Sequence, residues 1–218
     1  MTRRSRFVAR FLTPVGVLLL TVGLAAPIVR AQDSDDLLDQ AATALDQGDP
    51  DSAIAAMNSA LDDNPHDAVA LYLGGRAYAQ EGDSATAAQY FVSALAEDPE
   101  YAEARLSLAN LYAGSPDLGD PVASLTELAA TYPDDPALWT VLGSSEAQTG
   151  DVASAFDSTL TALSLNPGYA PAHLVLGSLF ELSGQNDDAL QEYLLIPELT
   201  SDDSIVGPAR DRIAALSG

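Results

Sequence analysis

Four prolines stand at one fixed interval in this chain. Asn64-Pro65, Asp98-Pro99, Tyr132-Pro133 and Asn166-Pro167 follow one another every 34 residues. Gly48-Asp49, Gly82-Asp83 and Gly150-Asp151 keep the same period, with Gly184-Gln185 as a variant. So do Ala53, Ala87, Ala155 and Ala189, and the pairs Ala60-Leu61, Ala94-Leu95 and Ala162-Leu163. The period divides the chain into units 34–67, 68–101, 102–135, 136–169 and 170–203. A unit this short cannot bury its own apolar face, so the units must stack, each covering its neighbour.

Each unit reads as two helices. In the second, Ala70 to Tyr78 carries large side chains at i, i+3, i+4 and i+7. Gly82 supplies the left-handed turn that ends this helix, and Asp83 caps the next. Ala87, Phe91, Ala94 and Leu95 line one face of the second helix. Pro99 closes it, because proline drives the residue before it out of helical geometry. Gly75, Gly143 and Gly177 are expected where a first helix approaches its partner, with the in-frame alanines opposite.

These residues resemble the tetratricopeptide repeat (TPR), a 34-residue helix–turn–helix family. Trp139, Leu142-Gly143, Gly150-Asp151, Ala155, Ala162-Leu163 and Pro167 carry the resemblance in the fourth unit. That unit departs at Glu146, where Tyr is usual, and at Thr159, where Phe is usual. Gly75, Tyr78, Gly82-Asp83, Ala87, Phe91, Ala94-Leu95 and Pro99 carry it in the second. The resemblance implies an all-α, right-handed α-solenoid of about five repeats over residues 34–203. Ser204–Leu216, with Ile205, Ala209, Ile213 and Leu216 on one face, is expected as a C-terminal capping helix within 204–218.

Two units depart from the frame. In the third, Gly114–Pro121 replaces the tight turn and puts Pro121 where alanine is usual. Its second helix is expected to start at Asp120–Pro121 after a longer loop. In the fifth, Pro197 is expected to stop the second helix early.

The chain's formal net charge is −23, with 32 acidic residues, 9 basic ones, no cysteine and, since all nine are arginine, no lysine. That excludes disulfides, thiolate metal sites, Schiff bases and P-loops, and disfavours nucleic-acid partners. Five arginines lie in the first 30 residues, where no acid occurs. Arg3, Arg4, Arg6 and Arg10 precede an uncharged run from Phe11 to Val29, and Val29-Arg30-Ala31 offers a small-x-small cleavage site. Residues 1–31 therefore read as a signal peptide or signal-anchor, placing the rest in the periplasm, cell envelope or medium. If the segment is kept, it tethers the chain to a membrane.

Candidates for chemistry are sparse. His66 and His173 lie in different units, and His173 takes the packing place of Trp139. The pairs Asp35-Asp36, Asp62-Asp63, Asp134-Asp135, Asp187-Asp188 and Asp202-Asp203 are expected to cap and solvate turns and helix starts rather than hold calcium. No catalytic, cofactor or metal site is assigned. Trp139, Tyr78, Phe91, Tyr112 and Phe180 are read as core.

First helices of a solenoid line its concave face, and in this family that face binds peptide segments. The groove set is Tyr72, Arg76, Leu106, Asn110, Thr140, Ser144, Leu174 and Ser178, with Ala79, Ala113, Ala147 and Glu181, and with Leu38, Ala42 and Leu45 in the first unit. Arg76 and Asn110 are candidates for gripping a partner carboxylate or carbonyl; the bland alternative pairs Arg76 with a nearby acid such as Glu103 or Glu81. The expected function is a non-catalytic exported scaffold or adaptor binding protein or peptide segments. The alternatives are an exported small-ligand-binding protein and a membrane-tethered assembly factor.

Overall fold

The computed structural model describes residues 26–218, so the expected signal or signal-anchor of residues 1–31 lies outside the described residues as far as residue 25. Eleven α-helices follow one another, with no strand among the described residues. They are α1 (Ala26–Asp46), α2 (Pro50–Asp63), α3 (Ala68–Glu81), α4 (Ser84–Glu97), α5 (Ala102–Gly114), α6 (Pro121–Thr131), α7 (Pro136–Thr149), α8 (Val152–Leu165), α9 (Ala170–Leu182), α10 (Asn186–Leu199) and α11 (Asp203–Ser217). Among the described residues, no helix is long and apolar enough to cross a membrane.

The boundaries follow from local chemistry. Gly82 and Gly150 take φ of 84° and 90°, and their N–H groups reach back to the last carbonyls of α3 and α7. Asp49, Asp67, Asp83, Asp120, Asp135, Asp151 and Asp202 sit at N-caps, where their carboxylates accept N–H groups the helix leaves unpaired. Asp62-Asp63 do otherwise. They end α2, where the helix dipole disfavours negative charge.

Each pair α1–α2, α3–α4, α7–α8 and α9–α10 packs as an antiparallel hairpin, and the first helices α1, α3, α5, α7 and α9 touch in succession. Second helices of neighbouring units make no comparable contact. The first helices therefore form the short inner side of a curved stack, and the second helices the longer outer side. This is a TPR-type solenoid.

Two expectations are corrected. Residues facing the helix glycines are mainly those at the aromatic position, not the alanines. A Cβ on Gly75 would lie 2.5 Å from the Phe91 ring, and on Gly177 2.5 Å from the Tyr193 ring. At Gly143 it would meet Thr159 Oγ1 at 2.6 Å, with the Ala155 carbonyl next at 3.0 Å. Pro197 does not stop α10, which runs to Leu199. It sits in the last turn, where the one hydrogen bond it removes is tolerated at a helix about to end. Arg76 does pair with a nearby acid, as the bland alternative has it, though with neither Glu103 nor Glu81. Its Nη2 lies 3.7 Å from Asp46 Oδ1, across the step from α1 to α3.

The third unit is the irregular one. A 3-10 turn at Pro116–Leu118 lengthens its loop, and α6 starts at Pro121 with Asp120 as its cap. The in-frame alanines elsewhere are fully buried at the hairpin crossing; Pro121 is not, and α6 lies less closely on α5 than other partners do. At the other end, α11 buries Val206 and Ala209 against the last repeat, with Ile205, Ile213 and Leu216 beside them.

Candidate functional site

The inner face is built from one side of α3, α5, α7 and α9. Seven of the eight predicted groove residues keep some exposure, but they do not form one continuous surface.

Tyr72 is half-buried. Its ring packs at 6.0 Å from Phe91 and 5.0 Å from Tyr101, the residue that precedes α5, so it packs within the second unit more than it faces solvent. Arg76 lies with its guanidinium carbon 5.9 Å from the Tyr72 ring centre, between that ring and Asp46. Leu106 is 36% exposed, and Asn110 is exposed one turn further along α5. Thr140 is a correction. It is buried, and its Oγ1 donates to the Pro136 carbonyl at 2.8 Å. A β-branched residue in a first turn can satisfy its hydroxyl on the helix itself, which lets it turn inward. Leu45 is a second correction. It is 2% exposed, because its side chain folds against Leu73 and Ala77 of α3.

Ser144, Leu174 and Ser178 do come together. With Gln148, Val175 and Leu182 they edge a cleft of about 360 Å³ between α7 and α9. Its walls are mainly apolar, and Leu182 stands 66% exposed at its lip. Ser178 Oγ donates to the Leu174 carbonyl at 3.0 Å and lies 3.2 Å from the Tyr193 hydroxyl. Gln148, Val175 and Leu182 were missed by the sequence reading. Gln148 and Leu182 each lie four residues after a predicted groove serine, so helical spacing alone extends the set to them.

Glu181 is committed elsewhere. It takes a forked pair of hydrogen bonds from Arg212 of α11, and one from the Tyr193 hydroxyl at 2.6 Å. Those donors hold its carboxyl below the usual range. The capping helix is thereby tied to the inner face of the fifth unit.

The histidines serve the repeat joints. His173 is buried, with Nδ1 2.7 Å from Glu192 and Nε2 2.9 Å from the Pro167 carbonyl. His66 is exposed and lies 2.7 Å from Glu97, whose carboxylate raises its pKa. Behind the groove, in the α7–α8 interface, Glu146 is 7% exposed and Thr159 fully buried. Glu146 Oε2, Thr159 Oγ1 and Ser145 Oγ are buried there without a hydrogen-bond partner. Burial, then the nearby Asp151 and Asp157, push the Glu146 carboxyl above its ordinary pKa, against an opposing pull from Ser158.

Two tetratricopeptide repeat families match the sequence, one over residues 38–99 and the other over 78–145. No curated protein matches it. Among solved structures, TTC0263, a thermophilic TPR protein from Thermus thermophilus, superposes with a TM-score of 0.61 at 23% identity, covering 84% of this chain and 98% of that one. MamA (41-end) from Desulfovibrio magneticus RS-1 superposes with a TM-score of 0.57 at 19% identity, covering 77% and 94%. At these identities the likeness is one of fold.

Proposed function

We propose, from a chain that carries tetratricopeptide repeats over residues 38–145, that this protein is a non-catalytic scaffold holding protein segments in its concave groove. One observation carries the reading. The inner-face cleft between α7 and α9 sets an apolar wall and the exposed Leu182 beside the serines Ser144 and Ser178. Apolar walls with a few hydroxyls suit one large side chain of an extended or helical segment, with the Ser144 hydroxyl able to donate to its backbone. Leu106 and Asn110 extend the same side toward the second unit.

The site of action we propose is extracytoplasmic. The basic start, uncharged run and small-x-small site of residues 1–31 support export. Cleavage after Ala31 leaves Gln32–Asp46 of α1, about the length of the other first helices, which supports removal over retention.

Affinity capture of the tagged protein from gently solubilised envelopes, at native salt, tests both parts. The control is Gln148→Arg/Leu182→Asp, two exposed substitutions that narrow the cleft and leave the core alone. We expect a partner retained by the parent chain and lost by the variant, and a mature N-terminus at Gln32 by mass spectrometry. Equal recovery with both forms refutes the groove, and a cytoplasmic full-length chain refutes export.

A further inference from the structure

The third unit's irregularity opens a second cleft, on the outer side. Between α4, α5 and α6 there is a space of about 440 Å³. Leu95, Leu108 and Leu128 form its apolar floor, and Val92, 50% exposed, stands at its edge. Elsewhere a buried alanine lets the second helix close onto the first. Here Pro121 holds that place and α6 stays back. Tyr112 and Glu127 face this space from α5 and α6, and Glu127 is the one charged residue lining it.

Three arginines of this chain share one arrangement, a tyrosine and a carboxylate beside the guanidinium. Arg76 lies over the Tyr72 ring and beside Asp46. Arg105 has its guanidinium carbon 5.0 Å from the Tyr132 ring centre and its Nε 2.9 Å from Asp135. Arg76 and Arg105 each place a guanidinium against one tyrosine ring and one carboxylate, a combination that rewards its flat charge twice. Arg212 pairs with Glu181 beside the Tyr193 hydroxyl. Tyr112 and Glu127 make a fourth tyrosine–carboxylate pair, close enough that the Glu127 charge acts on the Tyr112 hydroxyl. Among the described residues, no cation lies within ion-pair distance of Glu127.

We propose that the α4–α5–α6 cleft docks a basic protein segment, seating an arginine against Tyr112 and Glu127 and a neighbouring apolar side chain against Val92 and Leu95. The occupant is argued from charge: the cleft offers a lone carboxylate, and a chain of net charge −23 attracts basic partners at long range. The site lies on the opposite side from the concave groove, so it stands or falls independently of that reading. If both are right, the protein bridges two partners.

The test is a titration of isotope-labelled protein with acetyl-Leu-Arg-Leu-amide, followed by amide NMR at about 0.15 M salt, where exposed charges are screened beyond about 8 Å. The matched control peptide carries citrulline, which keeps the shape of arginine and loses the charge. We expect saturable shifts at Val92, Tyr112 and Glu127, with binding about fivefold weaker or worse for the citrulline peptide and for Glu127→Gln. Val92→Asp, also exposed, should lose the apolar contact and weaken binding too. Equal binding of both peptides, no effect of Glu127→Gln, or no saturable shift overturns the proposal. So do shifts confined to Ser144, Ser178 and Leu182, which would place the peptide in the concave cleft.

Discussion

The Trp139 indole donates its Nε1 hydrogen to the Pro133 carbonyl at 2.8 Å, pinning the first turn of α7 to the joint before it. One period later, His173 Nε2 makes the same bond to Pro167 at 2.9 Å, and one period earlier Arg105 Nη1 reaches Pro99 at 2.7 Å. Three chemically different side chains share one repeat position and one task. They satisfy the carbonyl of the proline that ended the previous helix, which has no helical partner. Leu71, at the equivalent place in the second unit, has no donor and contributes packing alone. Trp139→Phe should therefore keep most of the packing and lose the bond, costing about 1 kcal/mol. Urea unfolding followed by circular dichroism measures it; an unchanged midpoint would show that the bond adds nothing over water.

Gly75 and Gly143 are fixed by contact rather than by turn geometry. The Phe91 ring that a Gly75 Cβ would strike is 2% exposed and has no room to retreat. At Gly143 the obstacle includes the Ala155 backbone carbonyl, which moves only with α8. Gly75→Ala and Gly143→Ala should each cost about 1–3 kcal/mol from overpacking. Gly114, the last residue of α5, meets nothing within 4 Å and does not need a left-handed backbone, so Gly114→Ala should stabilise by up to about 0.5–1 kcal/mol through helix propensity. Thermal melts of the three variants test the contrast in sign.

The repeat frame made most of this architecture readable, because prolines, Gly-Asp turns and alanines act locally and recur. What the frame missed lies where one unit meets another or where the frame breaks. Thr140 and Leu45 occupy inner-face positions by number, yet one satisfies itself on its own helix and the other folds onto α3. Asp46 was invisible as a partner for Arg76, since 30 residues of chain separate two side chains that stacking brings together. The outer cleft depends on how far Pro121 keeps α6 from α5, a distance that no periodicity encodes.

Glu146 gives the fourth unit an unusual pH response. Its folded-state pKa is raised, so below the ordinary carboxylate range it is protonated folded or unfolded and has no pH-dependent effect. As pH rises, the unfolded chain ionises first, and stability falls until the folded-state value is passed. The N-cap aspartates Asp49, Asp83, Asp151 and Asp202 have lowered pKa values and act oppositely, losing their contribution as pH falls through them. Glu146→Gln should thus raise the melting temperature at pH 7 and leave it nearly unchanged near pH 3, below the ordinary carboxylate range, where Glu146 is protonated folded or unfolded. A stability gap between the two proteins that is the same at both values would show that Glu146 does not titrate in this window. Glu146→Tyr/Thr159→Phe, which restores the residues usual in this family, should stabilise at both.

Salt should raise stability in this protein, because repulsion outweighs attraction. Only four arginines follow residue 31, against 32 acids. The most buried arginine pair, Arg105 with Asp135, is largely shielded from solvent at 12% and 15% side-chain exposure, so added ions reach it poorly. The exposed pairs such as Arg76 with Asp46 are worth little to begin with. Adjacent acids such as Asp62-Asp63 at the end of α2 gain from screening, and they greatly outnumber the pairs that lose. Going from about 0.05 M to about 0.5 M sodium chloride shortens the screening length from roughly 14 Å to roughly 4 Å, below the separation of neighbouring repeats. The melting temperature should climb across that range and level off once repulsion between repeats is screened. A fall with salt would mean that the few ion pairs, not the acidic surface, set the stability of the stack.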